Sequence, residues 1–467
     1  MGEDYDVDLA VIGSGGSAMS AAIAASQAGK SVVLIERGVL GGTCVNIGCV
    51  PSKTLLAAAG ARHAALTNPF AGVPTSAGPV DLGALVAQKD GLIESLREAK
   101  YADVAAAYGF EVRSGQAAFL NKDTMAVDGA VLRARAYLIA TGSTPAVPDV
   151  AGLESVDWLT STTAMELTEL PKSLVVIGGG YVGMEQAQLF AHLGARVSVV
   201  GRLAPHAEPE LAQGLREVFA DDGITVVEEH ATAVATGIGP HGQDVVVSTA
   251  SGAQVRGARL LVATGRFART DGLDLAAAAV DVDERGFVVV DESQRTSNPR
   301  IYAAGDVSGA PQYVYVAAAG GRAAALNALA DDGRATPARV DYTGLPAVVF
   351  TRPQLASAGL TEDEALARGY VCDCRVLGLS DVPRALVQHD TRGAVKLVVD
   401  ATTGKVLGVH ALADGAGEIM LAATYAIKAG MTVDDLADTW APYLTMAESL
   451  RIVAGLFRNQ MPTSCCA

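Results

Sequence analysis

Val7-Asp8-Leu9-Ala10-Val11-Ile12-Gly13-Ser14-Gly15-Gly16-Ser17-Ala18 opens the chain and decides its fold. The first six residues read as a buried strand. A G-x-G-x-x-A turn follows, then an Ala-rich stretch to about Gly29 that reads as a helix. A second strand, Ser31 to Glu36, comes at once, which makes a βαβ unit. Gly13 permits the tight turn, Gly15 lets a pyrophosphate approach the backbone, and Ala18 lets helix and strand pack closely. The helix N-terminus offers amide donors and positive dipole to the phosphates. Glu36 closes the second strand, where a carboxylate accepts hydrogen bonds from a ribose.

The device recurs between Ser173 and Val200. Strand Leu174–Ile177 leads into Gly178-Gly179-Gly180-Tyr181-Val182-Gly183, then a helix from about Tyr181 to His192 and a strand Arg196–Val200. Two nucleotide folds imply two nucleotides. The second lacks the closing acid: Gly201 and Arg202 stand where a carboxylate would be. Without that carboxylate a ribose 2′-hydroxyl has no partner, and a guanidinium can hold a 2′-phosphate instead. NADPH is therefore expected over NADH, the plain alternative for Arg202 being a solvated surface side chain.

A chain of 467 residues is long enough for about three domains, and 50% apolar residues supply a large core. Thirty-five basic against 51 acidic residues give a net charge of −16, which argues against nucleic acid or an anionic membrane as partner. No apolar run approaches the ~18 residues of a membrane helix. The acidic start, Met1 to Asp8, lacks a secretory pattern, so a cytoplasmic enzyme is expected. Runs ending in Ala-Thr-Gly, Leu138–Gly142 and Leu261–Gly265, follow each fold. From about Asp341 alternating strands such as Val395–Val398 and Val406–Val409, beside helices such as Glu418–Ala429, read as an α+β domain. The expected order is a first nucleotide domain over 1–150, a second over 151–270, a return to the first over 271–340, and the α+β domain over 341–467.

Gly41-Gly42-Thr43-Cys44-Val45-Asn46-Ile47-Gly48-Cys49-Val50-Pro51-Ser52-Lys53 is the most specific stretch. Two cysteines five apart at a helix start can form a disulfide within one distorted turn. The helix dipole and Lys53, one turn beyond Cys49, would lower a thiolate's pKa. With both nucleotide folds in order, the segment resembles the redox-active disulfide of the class I pyridine nucleotide–disulfide oxidoreductases, over essentially the whole chain.

That resemblance implies two Rossmann-like domains and a C-terminal α+β domain that makes a homodimer, each active site being completed by the partner's C-terminal segment. It implies FAD in the first fold, on Gly13, Gly15, Gly16, Ala18, Glu36, Gly42, Thr43, Thr141, Gly142 and Asp306. Asp306 lies in Thr296–Asp306, similar to the family's second flavin motif. NADPH would lie on Gly178, Gly180, Gly183, Arg202 and Gly265. Lys53 would sit beside the flavin and pair with Glu185, and Tyr181 would cover the flavin until nicotinamide displaces it. Cys49 would pack against the flavin and Cys44 face the substrate.

The chain departs from the commoner members near its end. They carry His-Pro-Thr with a Glu five residues after the His, a dyad that shuttles protons for thiol substrates. Here the stretch is Ala441-Pro442-Tyr443-Leu444-Thr445-Met446-Ala447-Glu448, with Tyr443 at the histidine position. An unperturbed phenol, pKa about 10, is a poor shuttle at neutral pH. The chain ends Thr463-Ser464-Cys465-Cys466-Ala467, and two soft thiolates there suit a thiophilic cation. Tyr443, the Cys-Cys tail, Val382–Leu386 and Asp390–Gly393 together resemble the mercuric-ion-reducing members. That likeness implies Hg(II)-thiolate as substrate, captured by Cys465 and Cys466 and passed to Cys44 and Cys49, with Tyr181 and Tyr443 flanking the inner metal position. Many such members carry an N-terminal paired-cysteine domain, whereas the first flavin strand here begins within ten residues; a catalytic core alone is expected. A relay of electrons through Cys465–Cys466 to a disulfide partner, and a non-catalytic metal-binding protein, stay open as alternatives. Cys372 and Cys374 read as packing cysteines on one face of a strand, and the seven histidines show no metal-ligand spacing.

Overall fold

The computed structural model describes residues 5–239, 242–330 and 336–459, and these form two compact units. The first comprises residues 1–54, 83–146 and 265–341. Its centre is a parallel five-stranded sheet in the order Ile301–Ala303, Ala134–Ile139, Val7–Ile12, Val32–Glu36 and Glu111–Ser114. Strands buried on both faces read as continuous apolar runs, and Leu9 to Val11 and Val33 to Leu34 are wholly buried. Helices Gly16–Gln27 and Val314–Ala328 lie together on one face. They approach so closely that a Cβ on Gly321 would lie 2.0 Å from the Ser17 carbonyl oxygen. A three-stranded antiparallel sheet, Ala117–Phe119, Met125–Val127 and Ala130–Leu132, closes the other face.

The second unit, residues 55–82, 147–264 and 342–467, holds the second nucleotide fold and the C-terminal α+β segment. Its parallel sheet runs Thr225–Val227, Arg196–Val200, Ser173–Ile177, Arg259–Val262 and Trp158–Leu159. The C-terminal sheet is antiparallel, in the order Pro346–Val349, Gln354–Gly359, Val406–Ala413, Ala394–Asp400 and Cys372–Gly378. Helices Ala416–Ala429 and Glu448–Gly455 share a core with it. The fold class is thus the one expected, α/β with a C-terminal α+β part. No helix among the described residues is long and apolar enough to cross a membrane.

Two polar nodes sit inside this second unit. In one, Lys396 is buried and its ammonium donates to Glu208 and Glu362 at 2.8 Å each and to Glu210 at 3.2 Å. In the other, the rings of His63 and His192 stack at 3.7 Å, and both face Asp222. His192 Nε2 and Gln188 Nε2 lie 2.9 and 2.8 Å from Asp222 Oδ2, and the Arg392 guanidinium is 3.9 Å from Oδ1. Sequence spacing gave no sign of this gathering, whose ligand atoms lie within 4.8 Å of one another. Burial opposes the Asp222 carboxylate, but hydrogen bonds from His192 and Gln188 outweigh it and lower its pKa. Burial, then the neighbouring His192, push His63 down to about 4.

His63 thus refuses a proton that the unfolded chain accepts below about pH 6.5. Stability should be full above that value and fall as pH drops toward about 4. The urea midpoint should therefore decrease between about pH 7 and about pH 5, and His63→Gln should flatten that slope. An unchanged slope in the variant would remove His63 as its source.

Candidate active site

The first unit contains a cavity of ≈ 380 Å³ at the carboxyl ends of its central strands. This is where open α/β sheets bind ligands, beside the point where strand order reverses. Gly13, Gly15, Gly16, Glu36, Gly42, Thr43, Thr141, Gly142 and Asp306 all line it, as do Cys44 and Cys49. Ala18 is buried in the helix–strand contact behind the turn.

Glycine is needed at the turn for stated reasons. Gly13 has φ +111°, and a Cβ there would lie 2.4 Å from the Ala140 carbonyl oxygen. Gly42 has φ +64°, and its Cβ would lie 2.5 Å from Gly15 Cα. Backbone therefore rests on backbone, and the phosphate turn stays open. Glu36 is held by Ser14, whose hydroxyl donates to it at 2.6 Å, and by the Gly38 N–H at 2.7 Å. Ser14 also accepts the Gly41 N–H at 3.0 Å, which ties the cysteine segment to Glu36. At the other end Ser143 donates to Asp306 at 2.6 Å, and Arg266 Nε donates to Ser143 at 2.7 Å.

The thiol pair occupies two short elements. Cys44 lies in the turn of helix Gly42–Asn46, and Cys49 is the first residue of helix Cys49–Leu66. Asn46 closes the turn, donating to the Leu40 and Gly42 carbonyls and accepting from Arg97. Both cysteines are thiols, in hydrogen-bond contact with each other. That contact, then burial, raises the Cys44 pKa well above the usual thiol range, while the positive charge of Lys53 works the other way. Tyr101 adjoins the pair and was not legible in the sequence. Burial, then the two cysteines, push its phenol up to about 12. It sits in a π-turn, Glu98–Ala102, and such turns favour functional sites. No sequence pattern marks it, since packing rather than spacing brings it to the cysteines.

The second nucleotide turn, in the other unit, is built by the same contacts. A Cβ on Gly178 would lie 2.3 Å from the Ala263 carbonyl oxygen, and one on Gly183 2.0 Å from the Gly178 oxygen. Gly180 caps helix Tyr181–Leu193, no side chain caps its amides, and a Cβ there would meet nothing within 4 Å. Gly265, the first residue of the last segment of the first unit, has φ +117° and also borders open space. The Arg202 carbonyl presses against Gly179, and its side chain is exposed beside the turn. Tyr181 and His206 line one small cavity with Glu208 and His410. Glu185 is buried and accepts the Phe350 N–H at 3.0 Å. Lys53 and Glu185 fall in different units.

Tyr443 is half exposed in the turn before helix Glu448–Gly455. Glu448 is buried, accepts from Arg451 at 3.4 Å through Oε1, and keeps Oε2 without a hydrogen-bond partner. Cys465 and Cys466 lie outside the described residues.

The residues present fit a flavin dinucleotide. The Ser17 and Thr141 hydroxyls line the cavity, buried and without a protein partner, as groups awaiting a ligand would be. The pyridine nucleotide–disulphide oxidoreductase model matches residues 7–321, and the dimerisation-domain model of the same family matches 345–454. The chain belongs to the pyridine nucleotide–disulphide oxidoreductases. Its relatives include a mercuric reductase of Streptomyces lividans, 51% identical over 98% of each chain. A mercuric reductase of Lysinibacillus sphaericus is 45% identical over 98% of this chain and 84% of its own. Among solved structures, the HOCl-induced flavoprotein disulfide reductase RclA of Escherichia coli superposes with a TM-score of 0.85 at 29% identity, over 96% of this chain and 99% of that one. LpdA of Mycobacterium tuberculosis gives 0.83 at 28%, over 97% and 100%. The chain is accordingly an FAD-containing oxidoreductase that uses a pyridine nucleotide.

The Gly15–Gly42 contact makes a direct prediction. Gly42→Ala meets both a left-handed backbone and a backbone clash, a strain of roughly 1–3 kcal/mol or more. The purified variant should carry less than about half the normal flavin, read as the ratio of flavin to protein absorbance. Gly72→Ala, with nothing within 4 Å of its Cβ, should keep its flavin. Equal flavin content in the two would sever the contact from cofactor binding.

Proposed function

We propose that the chain is a mercuric ion reductase, in which NADPH and Hg(II) give NADP+, H+ and Hg(0). The observation that carries this reading is likeness to the Streptomyces lividans enzyme across nearly the whole of both chains. A thiol pair on the wall of the flavin cavity supports it chemically. Bound FAD supplies the two-electron step that links nicotinamide to thiols and metal. Cys44 and Cys49 offer adjacent soft ligands, onto which Hg(II) exchanges from small thiols. Cys49 would be the thiol on the flavin side and Cys44 the one toward the substrate, with Lys53 favouring a thiolate and serving as the partner of Glu185. Tyr181 would shield the flavin until nicotinamide enters, and Arg202 would take the 2′-phosphate. Residues 1–150 and 271–340 hold FAD, 151–270 hold NADPH, and 341–467 make a homodimer. Cys465 and Cys466 of the partner subunit capture Hg(II), and Tyr443 stands beside the metal in place of a proton shuttle.

The deciding experiment follows NADPH consumption with Hg(II) plus excess thiol, against glutathione disulfide, lipoamide and a thioredoxin. Hg(II) should be the efficient oxidant. Replacing Cys465 and Cys466 by Ala should slow turnover at least about tenfold with thiol-bound Hg(II), a barrier of about 1.4 kcal/mol or more, and much less with halide-bound Hg(II). No response to Hg(II) under either condition, with turnover on a disulfide instead, would replace this reading by a disulfide relay. Tyr443→Phe should lower turnover while leaving NADPH reduction of the flavin intact.

Cofactor choice is a separate matter. Arg202→Glu should cut the NADPH-to-NADH ratio of kcat/KM roughly tenfold, as expected for loss of one charge-assisted contact. Equal kcat/KM for the two nucleotides in the unmodified enzyme would show that Arg202 does not select.

A further inference from the structure

Cys372 and Cys374 take no part in the chemistry proposed above. They lie on strand Cys372–Gly378 at the edge of the C-terminal sheet. Residues two apart on a strand share a face. Both thiols therefore stand with their cross-strand neighbours Asp400 and Val398, one register step from Lys396 opposite Val376. The other face is the one turned inward, where Leu377 is buried and Arg375 stacks on Phe457. Packing cysteines would be buried like Leu377, but both of these remain partly exposed. Strand and face are as expected, and the two side chains are only partly buried.

Their surroundings are acidic. Glu362 hydrogen-bonds the Cys374 side chain, and Glu362, Asp400 and Glu208 all place negative charge around Cys372; the Lys396 ammonium, paired with Glu208 and Glu362, offsets part of it at Cys374. Burial, then Glu362, push the Cys374 thiol up to about 12, and burial with the same acids raises Cys372. Such thiols are poor nucleophiles at neutral pH. An acidic surround attracts cations, and a cation that displaces thiol protons can still bind. Softness decides which cation does so.

We propose that Cys372 and Cys374 form a second capture site for a soft, thiophilic divalent cation, Hg(II) foremost, made of residues supplied by neither the inner pair nor the tail. The inference rests on the mercury reading for its choice of ion. Binding is ligand exchange: a mercury bis-thiolate plus two protein thiols gives one S–Hg–S bridge and two free thiols, the protein protons leaving on the displaced ligands. No electrons move. Residues two apart on a strand are roughly 6.5–7 Å apart at Cα. Metal–thiolate bonds of roughly 2.3 Å, the zinc value, span about 4.6 Å between sulfurs, and χ1 rotation of two partly exposed side chains covers the difference.

The test uses flavin-loaded enzyme in which Cys44, Cys49, Cys465 and Cys466 are all Ala, leaving two of the six cysteines. Hg(II) is presented as its bis(2-mercaptoethanol) complex, and mercury and protein are counted after gel filtration. One Hg(II) per chain should be retained, with mercury–thiolate ultraviolet absorption, and Cys372→Ser or Cys374→Ser should weaken retention at least about tenfold. Zn(II) under the same conditions should not be retained. Absence of bound mercury, two mercury ions per chain, indifference to either serine, or equal retention of Zn(II) would each overturn the proposal. A second variant needs none of the four alanines. Cys372→Ser/Cys374→Ser in otherwise unmodified enzyme should hold one fewer Hg(II) per chain, with NADPH oxidation at saturating Hg(II) unchanged; equal mercury content would overturn the site. Failure of the mercury reading itself shows elsewhere, as absence of Hg(II)-driven NADPH oxidation in the unmodified enzyme.

Discussion

Gly15 and Gly42 touch through their main chains, and the first unit is arranged around that contact. Any side chain at Gly42 would place its first carbon 2.5 Å from Gly15 Cα, and one at Gly13 would strike the Ala140 carbonyl. Three segments distant in sequence, the first phosphate turn, the Ala-Thr-Gly run and the cysteine turn, therefore meet with no side chain between them. Space that side chains would have filled stays open as the cavity. Ser14 then couples the parts, donating to Glu36 and accepting from Gly41. The thiol pair reaches the cavity wall because the turn that carries it is clamped to the turn that would hold the phosphates.

This explains why so much of the site could be read from the sequence. Glycines in turns, a strand before and a helix after, and an acid closing the next strand are local features, and local geometry fixes what they do. The strand expected at Leu174–Ile177 is observed from Ser173, and the helix expected from Tyr181 to His192 ends at Leu193. What escaped was set by long-range packing. Tyr101 belongs to a helical run whose periodicity says nothing of cysteines more than fifty positions earlier. His63 and His192 come from two helices and Asp222 caps the end of a third, with no spacing in common. Lys396 alternates like a solvated strand residue, and three carboxylates from two other segments bury it.

The buried charges share one feature. A chain with a net charge of −16 has many acids to place, and those near the interior are matched. Asp222 has two hydrogen-bonded partners and an arginine nearby; Glu208 has Lys396 and the Glu362 amide. Buried carboxylates left unpaired would cost several kcal/mol each, so these pairings are conditions of the fold. They also set local fields. The Lys396 group gathers three carboxylates around one ammonium, an excess of negative charge beside the edge strand.

The two thiol pairs described here consequently differ in what chemistry is open to them. Cys44 and Cys49 face each other across one turn, with Lys53 one turn further on and the dinucleotide cavity in front. A hydrogen bond that raises Cys44 is an interaction with its partner sulfur, and it disappears when the two join as a disulfide. Such an adjacent pair suits the dithiol–disulfide chemistry of the family. Cys372 and Cys374 are raised by burial and by carboxylates, which persist whatever the thiols do. The dinucleotide cavity is lined by the inner cysteines and not by these. The chemistry proposed for the edge-strand thiols is exchange of a proton for a metal, and the negative field that suppresses their nucleophilicity is the same field that would favour the incoming cation.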